Sequence, residues 1–294
     1  MSLLLEGRSV PVTDDAPAAV ISTERFVPVT AHASRFRRAL ARASWPLGIY
    51  TTPVVLVALW EVVSRLGWLA DTVAPAPSTI LRAGWELYQR GELVPSLETS
   101  LGRAAAGLAL GLAVGISAGI LGGLLRSGEY LFNGVFQILH TIPLLAILPL
   151  MIVWFGIDEL TKVLLIAFGA AVPMYLNLFA AIRGVDQRLV EMARSAGAGQ
   201  FRLVTRVLLP GALPGFLVGL RFSLGFSVLG LVAAELVNVD SGIGFLINRA
   251  QTYLQTDQVF FGLFIYAVLG LSADQIVRVL ERVLLAWRPS YEAS

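Results

Sequence analysis

Six stretches of mostly apolar residues constrain this chain more than anything else in it: approximately Leu47 to Leu66, Leu101 to Leu125, Leu131 to Phe155, Val163 to Ile182, Leu213 to Leu236 and Val259 to Leu280. A helix needs roughly 20 such residues to cross the hydrocarbon core of a bilayer. With 56% hydrophobic and 14% charged residues and a mean hydropathy of +0.74 over 294 residues, the chain departs from soluble usage; soluble domains carry about 25% charged residues. The expectation is an all-α membrane protein with six transmembrane helices. A net charge of +2, with basic residues scattered over several short segments, leaves no footprint for nucleic acid.

The cations set the orientation. Placing the amino terminus in the cytoplasm puts Arg126, the loop bearing Arg183, Arg188, Arg194, Arg202 and Arg206, and then Arg282 and Arg288 on the inner side. Arg82, Arg90, Lys162 and Arg249 remain outside. The excess of inner cations predicts that both termini are cytoplasmic. Residues 1–45 lack a signal-peptide pattern, because Leu3 to Leu5 is too short an apolar core. They read as a disordered cytoplasmic tail ending in the basic cluster Arg35, Arg37, Arg38 and Arg42. Residues 46–288 form the membrane domain, with a core over 95–285, and residues 289–294 form a short tail.

Within the second span, Gly107, Gly111, Gly115 and Gly119 recur every fourth residue, so one helix face is bare backbone suited to close helix packing. Pro143, Pro149 and Pro173 fall inside the third and fourth spans and predict kinks, since each removes a backbone donor. Ala74 to Gly91 reads as an external loop followed by a short interfacial helix.

The segment from Glu191 to Pro210 is polar and basic between two greasy spans. Glu191 to Ser195 reads as one short helix and Gln200 to Leu209 as a second, with Gly197 and Gly199 giving the break between them. Arg202 and Arg206 share a face and repel one another unless an outside acidic or dipolar surface receives them. Pro210 and Pro214 mark re-entry into the membrane.

Glu191, Ala193, Gly197, Val207, Leu209 and Pro210 sit at the spacing of the "EAA" loop, and the chain thereby resembles the permeases of ABC importers. Met192 stands in the middle alanine's place and Val207 in that of the commoner isoleucine. The runs Pro149-Leu150-Met151-Ile152-Val153-Trp154-Phe155-Gly156, Leu209-Pro210-Gly211-Ala212-Leu213-Pro214, Gly219-Leu220-Arg221, Val232-Ala233-Ala234-Glu235 and Gly242-Ile243-Gly244-Phe245 are similar to the nitrate, taurine and aliphatic-sulfonate branch. The resemblance covers roughly Ala74 to Trp287 and implies a type I importer permease fold in a bacterial cytoplasmic membrane. It also implies a homodimer, two cytoplasmic ATPase subunits and an extracytoplasmic solute-binding protein as partners. The loop 183–212 becomes the coupling element, with Glu191, Met192, Ala193, Ser195, Ala196, Gly197, Ala198, Arg202, Arg206, Leu209 and Pro210 as its working residues. The solute implied is an aliphatic sulfonate first, with taurine, nitrate or another small solute as alternatives.

This chain is expected to hold no cofactor and to catalyse nothing. Its single lysine, Lys162, follows Thr161 and ends no phosphate-binding glycine loop, so ATP and Mg belong to the partner ATPase. With no cysteine and only His32 and His140, neither a metal site nor a nucleophile is visible; His140 reads as a packing donor in the third span.

Charges inside spans need partners, since each costs about 2.5 to 3.5 kcal/mol on insertion scales. Glu61 and Arg65, four apart, predict a local pair. Arg221 and Asp274 fall at matching depth in the fifth and sixth spans and predict an interhelical pair. Glu235, ahead of Asn238, Asp240 and the Gly242-x-Gly244 turn, is either part of an external gate or a simple interfacial carboxylate. A remote alternative is an ion-coupled carrier relaying protons through Glu61, Glu235 and Asp274.

Overall fold

The structure, a computed structural model, describes residues 51–70, 72–237 and 240–286. The predicted amino-terminal tail with its arginine cluster, the carboxyl-terminal tail, Asn238 and the first residues of the first predicted span lie outside the described residues. The chain divides into Met1–Val54, of which only the opening turn of the first helix is described, and Val55–Ser294, which holds everything below.

Every described element is helical: α1 Thr51–Arg65, α2 Pro77–Gln89, α3 Leu93–Leu124, α4 Arg126–Thr141, α5 Leu144–Phe155, α6 Glu159–Arg183, α7 Gln187–Ser195, α8 Gln200–Leu203, a π-helical turn Val204–Leu208, α9 Leu209–Glu235, α10 Ile243–Thr252 and α11 Thr256–Leu284. The most extensive packing joins α3 to α6 and α6 to α9. The glycine ridge explains the first of these. A Cβ on Gly107 would lie 2.5 Å from Ile166 Cβ, one on Gly111 2.4 Å from the Ala167 carbonyl, and one on Gly115 2.6 Å from the Ala171 carbonyl. Backbone thus meets backbone along α3, the arrangement by which helices associate where lipid offers no hydrophobic drive. Behind it, Phe136 stacks on the buried ring of Tyr175 with centroids 4.0 Å apart.

By length and composition, four described helices suffice to cross a membrane, and five do if α4 and α5 count as one broken span. The third predicted span is therefore not a single rod: α4 and α5 meet at a bend of 107°. Pro143 is the cause, because it forces Ile142 out of the helical region to φ −82°, ψ 121°. Pro173, by contrast, sits inside an unbroken α6, where neighbouring helices on both sides hold the rod together. The fifth predicted span also needs correction, since it does not start afresh beside Pro210; helical backbone runs from Gln200 to Glu235. The π turn absorbs the proline, with Leu209 N–H reaching the Val204 carbonyl in a widened ring.

Two ends of the long helices can now be distinguished. One carries α7, α8 and the junction of α3 with α4, and is called the loop end below. The opposite end carries α2, α10 and the starts of α3, α6 and α11.

Candidate functional site

At the loop end, Asp186 caps α7 by accepting from the Arg188 N–H at 2.9 Å. The helix stops in a Schellman motif: Gly197 N–H donates to the Arg194 carbonyl at 2.9 Å, and Ala198 N–H to the Ala193 carbonyl at 3.0 Å. Gly197 takes φ +78°, a left-handed conformation that a side chain resists, although no atom crowds a Cβ placed there. Gly199 is different from the reading of the sequence. It is extended, at φ −67°, with open space around it, so the break rests on Gly197 alone.

What the elbow presents is both apolar and basic. Phe201 is 80% exposed, Met192 65% and Leu189 49%. Arg202 and Arg206 are exposed and without an ion pair among the described residues. Glu191, exposed, accepts from Gln187 Nε2 at 2.9 Å; Ser195, Ala196 and Pro210 are exposed, and Ala193, Ala198 and Leu209 half-buried. Because α8 continues through the π turn into α9, a force applied at Phe201 or Arg202 enters a membrane-crossing helix without an intervening hinge.

The opposite end is organised around Glu235 and Arg103, both buried. The Glu235 carboxylate accepts from Arg103 Nη1 at 2.8 Å, Tyr266 Oη at 2.7 Å and Gly244 N–H at 3.0 Å, with Ser100 Oγ 2.6 Å away. Ser100 Oγ in turn accepts the Ile243 N–H at 2.9 Å, so α10 begins against an anion and a hydroxyl. Arg103 spends all of its donors: Nε and Nη2 on Glu159 at 2.6 Å each, and the remainder on Glu235 and on the carbonyl and hydroxyl of Ser241. Lys162 completes the set at 2.7 Å from Glu159, giving two cations and two anions with no net charge.

This geometry assigns the Gly242-x-Gly244 turn. Gly242 sits at φ +100° with a virtual Cβ 2.6 Å from Glu235 Oε1, and a Cβ on Gly244 would lie 2.3 Å from the Glu235 carbonyl. Glu235 is therefore no interfacial carboxylate. Sequence reasoning misses Arg103 because it lies in the first turn of the predicted second span, where a cation can reach water. Its partners stand 56 to 138 residues away. The four-residue spacing from Arg103 to Gly107, which puts the arginine in line with the packing ridge, is the one signal that could have marked it as buried.

Other expected contacts are present with additions. Arg65 Nε meets Glu61 Oε1 at 2.6 Å, and Glu61 also takes the Ser78 N–H at 3.0 Å, anchoring the start of α2. Arg221 Nε lies 3.3 Å from Asp274 Oδ1, but a second acid, Glu281, is closer at 2.7 Å, and Asp274 also holds Arg278. Glu61, Glu235 and Asp274 are thus all engaged by arginine, which leaves none as a ready proton relay. His140 is not a packing donor: it is exposed and lines an open cavity of about 450 Å³ at the bend between α4 and α5.

Comparisons with known proteins agree with this architecture. The family of binding-protein-dependent transport system inner membrane components matches residues 111–285. A Bacillus subtilis (strain 168) protein named an aliphatic sulfonates transport permease, SsuC, is 45% identical over 262 residues, covering 89% of this chain and 95% of its own. The Escherichia coli (strain K12) protein of the same name is 47% identical over 239 residues, covering 81% and 91%. Among solved structures, an amino acid ABC transporter shares the fold at a TM-score of 0.53 and 19% identity, over 64% of this chain and 91% of that one.

Proposed function

This chain belongs to the family of binding-protein-dependent transport system inner membrane components, and we propose that it is the permease subunit of an ABC importer for aliphatic sulfonates. Two copies form the translocation pathway, a solute-binding protein delivers cargo at the end bearing Glu235, and two ATPase subunits engage the loop end. The observation that carries this reading is the elbow of α7 and α8, where Leu189, Met192 and Phe201 stand exposed beside unpaired arginines at the head of a continuous helix. An apolar patch rimmed by charge marks a protein interface. The identity to the two sulfonate permeases supports the solute class.

Glu191, Met192, Ala193, Ser195, Ala196, Gly197 and Ala198 form the docking helix and its cap in this proposal, and Arg202, Arg206, Leu209 and Pro210 the lever that follows. ATP shifts the permease between inward- and outward-facing arrangements only to the extent that the ATPase binds the two elbow positions with different affinity. Uptake of an alkanesulfonate by proteoliposomes holding the complete transporter, with ATP inside and loaded binding protein outside, tests the proposal. ATP-dependent accumulation that is lost with Glu191→Lys is the expected result. Accumulation that persists with the ATPase omitted would overturn it.

A further inference from the structure

Resting on the importer reading above, we infer that the cavity at the α4–α5 bend is a transit site for the solute, and that it takes an amphiphilic organic anion: an aliphatic chain against its aromatic wall and the charged head beside His140. The cavity, about 450 Å³, lies at half-height. Phe168 and Asn177 bracket the centre of α6, Phe222 stands at the centre of α9 with Phe226 one turn beyond, and the break at Ile142–Pro143 lines the same cavity. Its volume is within the range of small-molecule sites.

The argument starts from the backbone. Inside a bilayer, non-helical backbone survives only where it is buried in protein or lines a wetted space, and the 107° break between α4 and α5 lines this one. On the facing wall Pro173, inside an unbroken helix, has no N–H to give the Gly169 carbonyl one turn earlier, so a gap in the helical hydrogen-bond ladder lines the same cavity. Thr141 Oγ1 and Asn177 Nδ2 bond to local carbonyls at 2.7 Å and 2.8 Å. Among the described residues His140 has no such partner and is the one ionisable side chain of the lining, with no carboxylate beside it. An anion is therefore not repelled, an organic cation finds no counter-charge, and three phenylalanine rings accept a hydrocarbon chain.

The chain has no cysteine, so a single introduced thiol reports on the cavity alone. Thr141→Cys, a near-isosteric change on the cavity wall, and Ser127→Cys, exposed at the loop end, are placed separately in the assembled transporter in lipid nanodiscs. Modification by 2-sulfonatoethyl methanethiosulfonate is followed by mass spectrometry of this chain. Hexane-1-sulfonate is expected to slow reaction at Thr141→Cys at least fivefold, with hexan-1-ol and sulfate changing it less than twofold and Ser127→Cys unaffected. Adding His140→Gln should remove most of that protection. Unchanged rates, or equal protection by hexan-1-ol, overturn the site and leave a lipid-filled groove. The importer reading is judged apart, by wild-type uptake of hexane-1-sulfonate: uptake without protection sinks the site alone, and protection without uptake sinks the importer reading, and transit with it, leaving an anion-binding cavity.

Discussion

The two ends of the long helices solve opposite problems with similar residues. Around Glu235 four charges cancel within the chain, and each donor of Arg103 is taken. Around Gly197 the arginines and apolar side chains face outward with nothing among the described residues to receive them. Glycine makes the contrast sharper. Gly242 and Gly197 both adopt positive φ, yet the first is hemmed in by Glu235, Arg103 and Ser100, whereas the second stands in open space. One end has its charges matched among the described residues; the other leaves its arginines and apolar side chains exposed.

The largest expected effect attacks the finished end. Arg103→Leu leaves Glu235 buried without its cation, and loss of one partner of a buried pair costs about 3–5 kcal/mol. Thermal unfolding in detergent should show a drop of that size, and the double variant Arg103→Met/Glu235→Leu should be less damaged than Arg103→Leu. Equal or greater loss in the double variant would mean that the carboxylate's bonds to α10 and Tyr266 matter more than charge.

Next come the glycines. Gly242→Ala combines backbone strain with overlap at 2.6 Å, and overpacking alone costs about 1–3 kcal/mol. Gly197→Ala carries strain only, about 1 kcal/mol, and should lower the melting temperature of the isolated permease less than Gly242→Ala does, while lowering ATPase stimulation by loaded binding protein. Gly199→Ala should alter neither; a loss as large as that of Gly197→Ala would show that the elbow's break has two parts.

Arg221→Ala should cost about 1 kcal/mol or less, because the pair is partly exposed. A charge swap, Arg221→Asp with Asp274→Arg, should not restore it, since the new acid faces Glu281. Smallest of all, Phe201→Ala should change stability by no more than about 0.5 kcal/mol while weakening co-purification with the ATPase. A destabilised Phe201→Ala permease would put that ring in the fold and erase the contrast between the ends.

Much of the site was legible in advance where the physics is local. The Glu61–Arg65 contact follows from four-residue spacing, the packing ridge from glycines repeated at that same interval, and the elbow from a glycine between two polar helical segments. Depth matching along neighbouring spans was enough to pair Arg221 with Asp274, but not to find Glu281, which a seven-residue step places two turns further along the same helix face. The break at Pro143 was legible as a kink; its size was not, because a missing donor says where a helix weakens and not where the chain goes next. Pro173 shows the limit from the other side, since packing kept that helix whole.

The sequence by itself determined the helical class, the apolar segments and the exposed basic loop, since each depends on residues within a few turns of one another. Only the tertiary structure decided that Arg103, Glu159, Ser241 and Glu235 meet, that α8 runs unbroken into α9, and that the Ile142–Pro143 bend opens a cavity against Phe222 and Phe226. Those outcomes depend on which helix faces come together across long chain separations, and a one-dimensional pattern carries the period of each face without naming its partner.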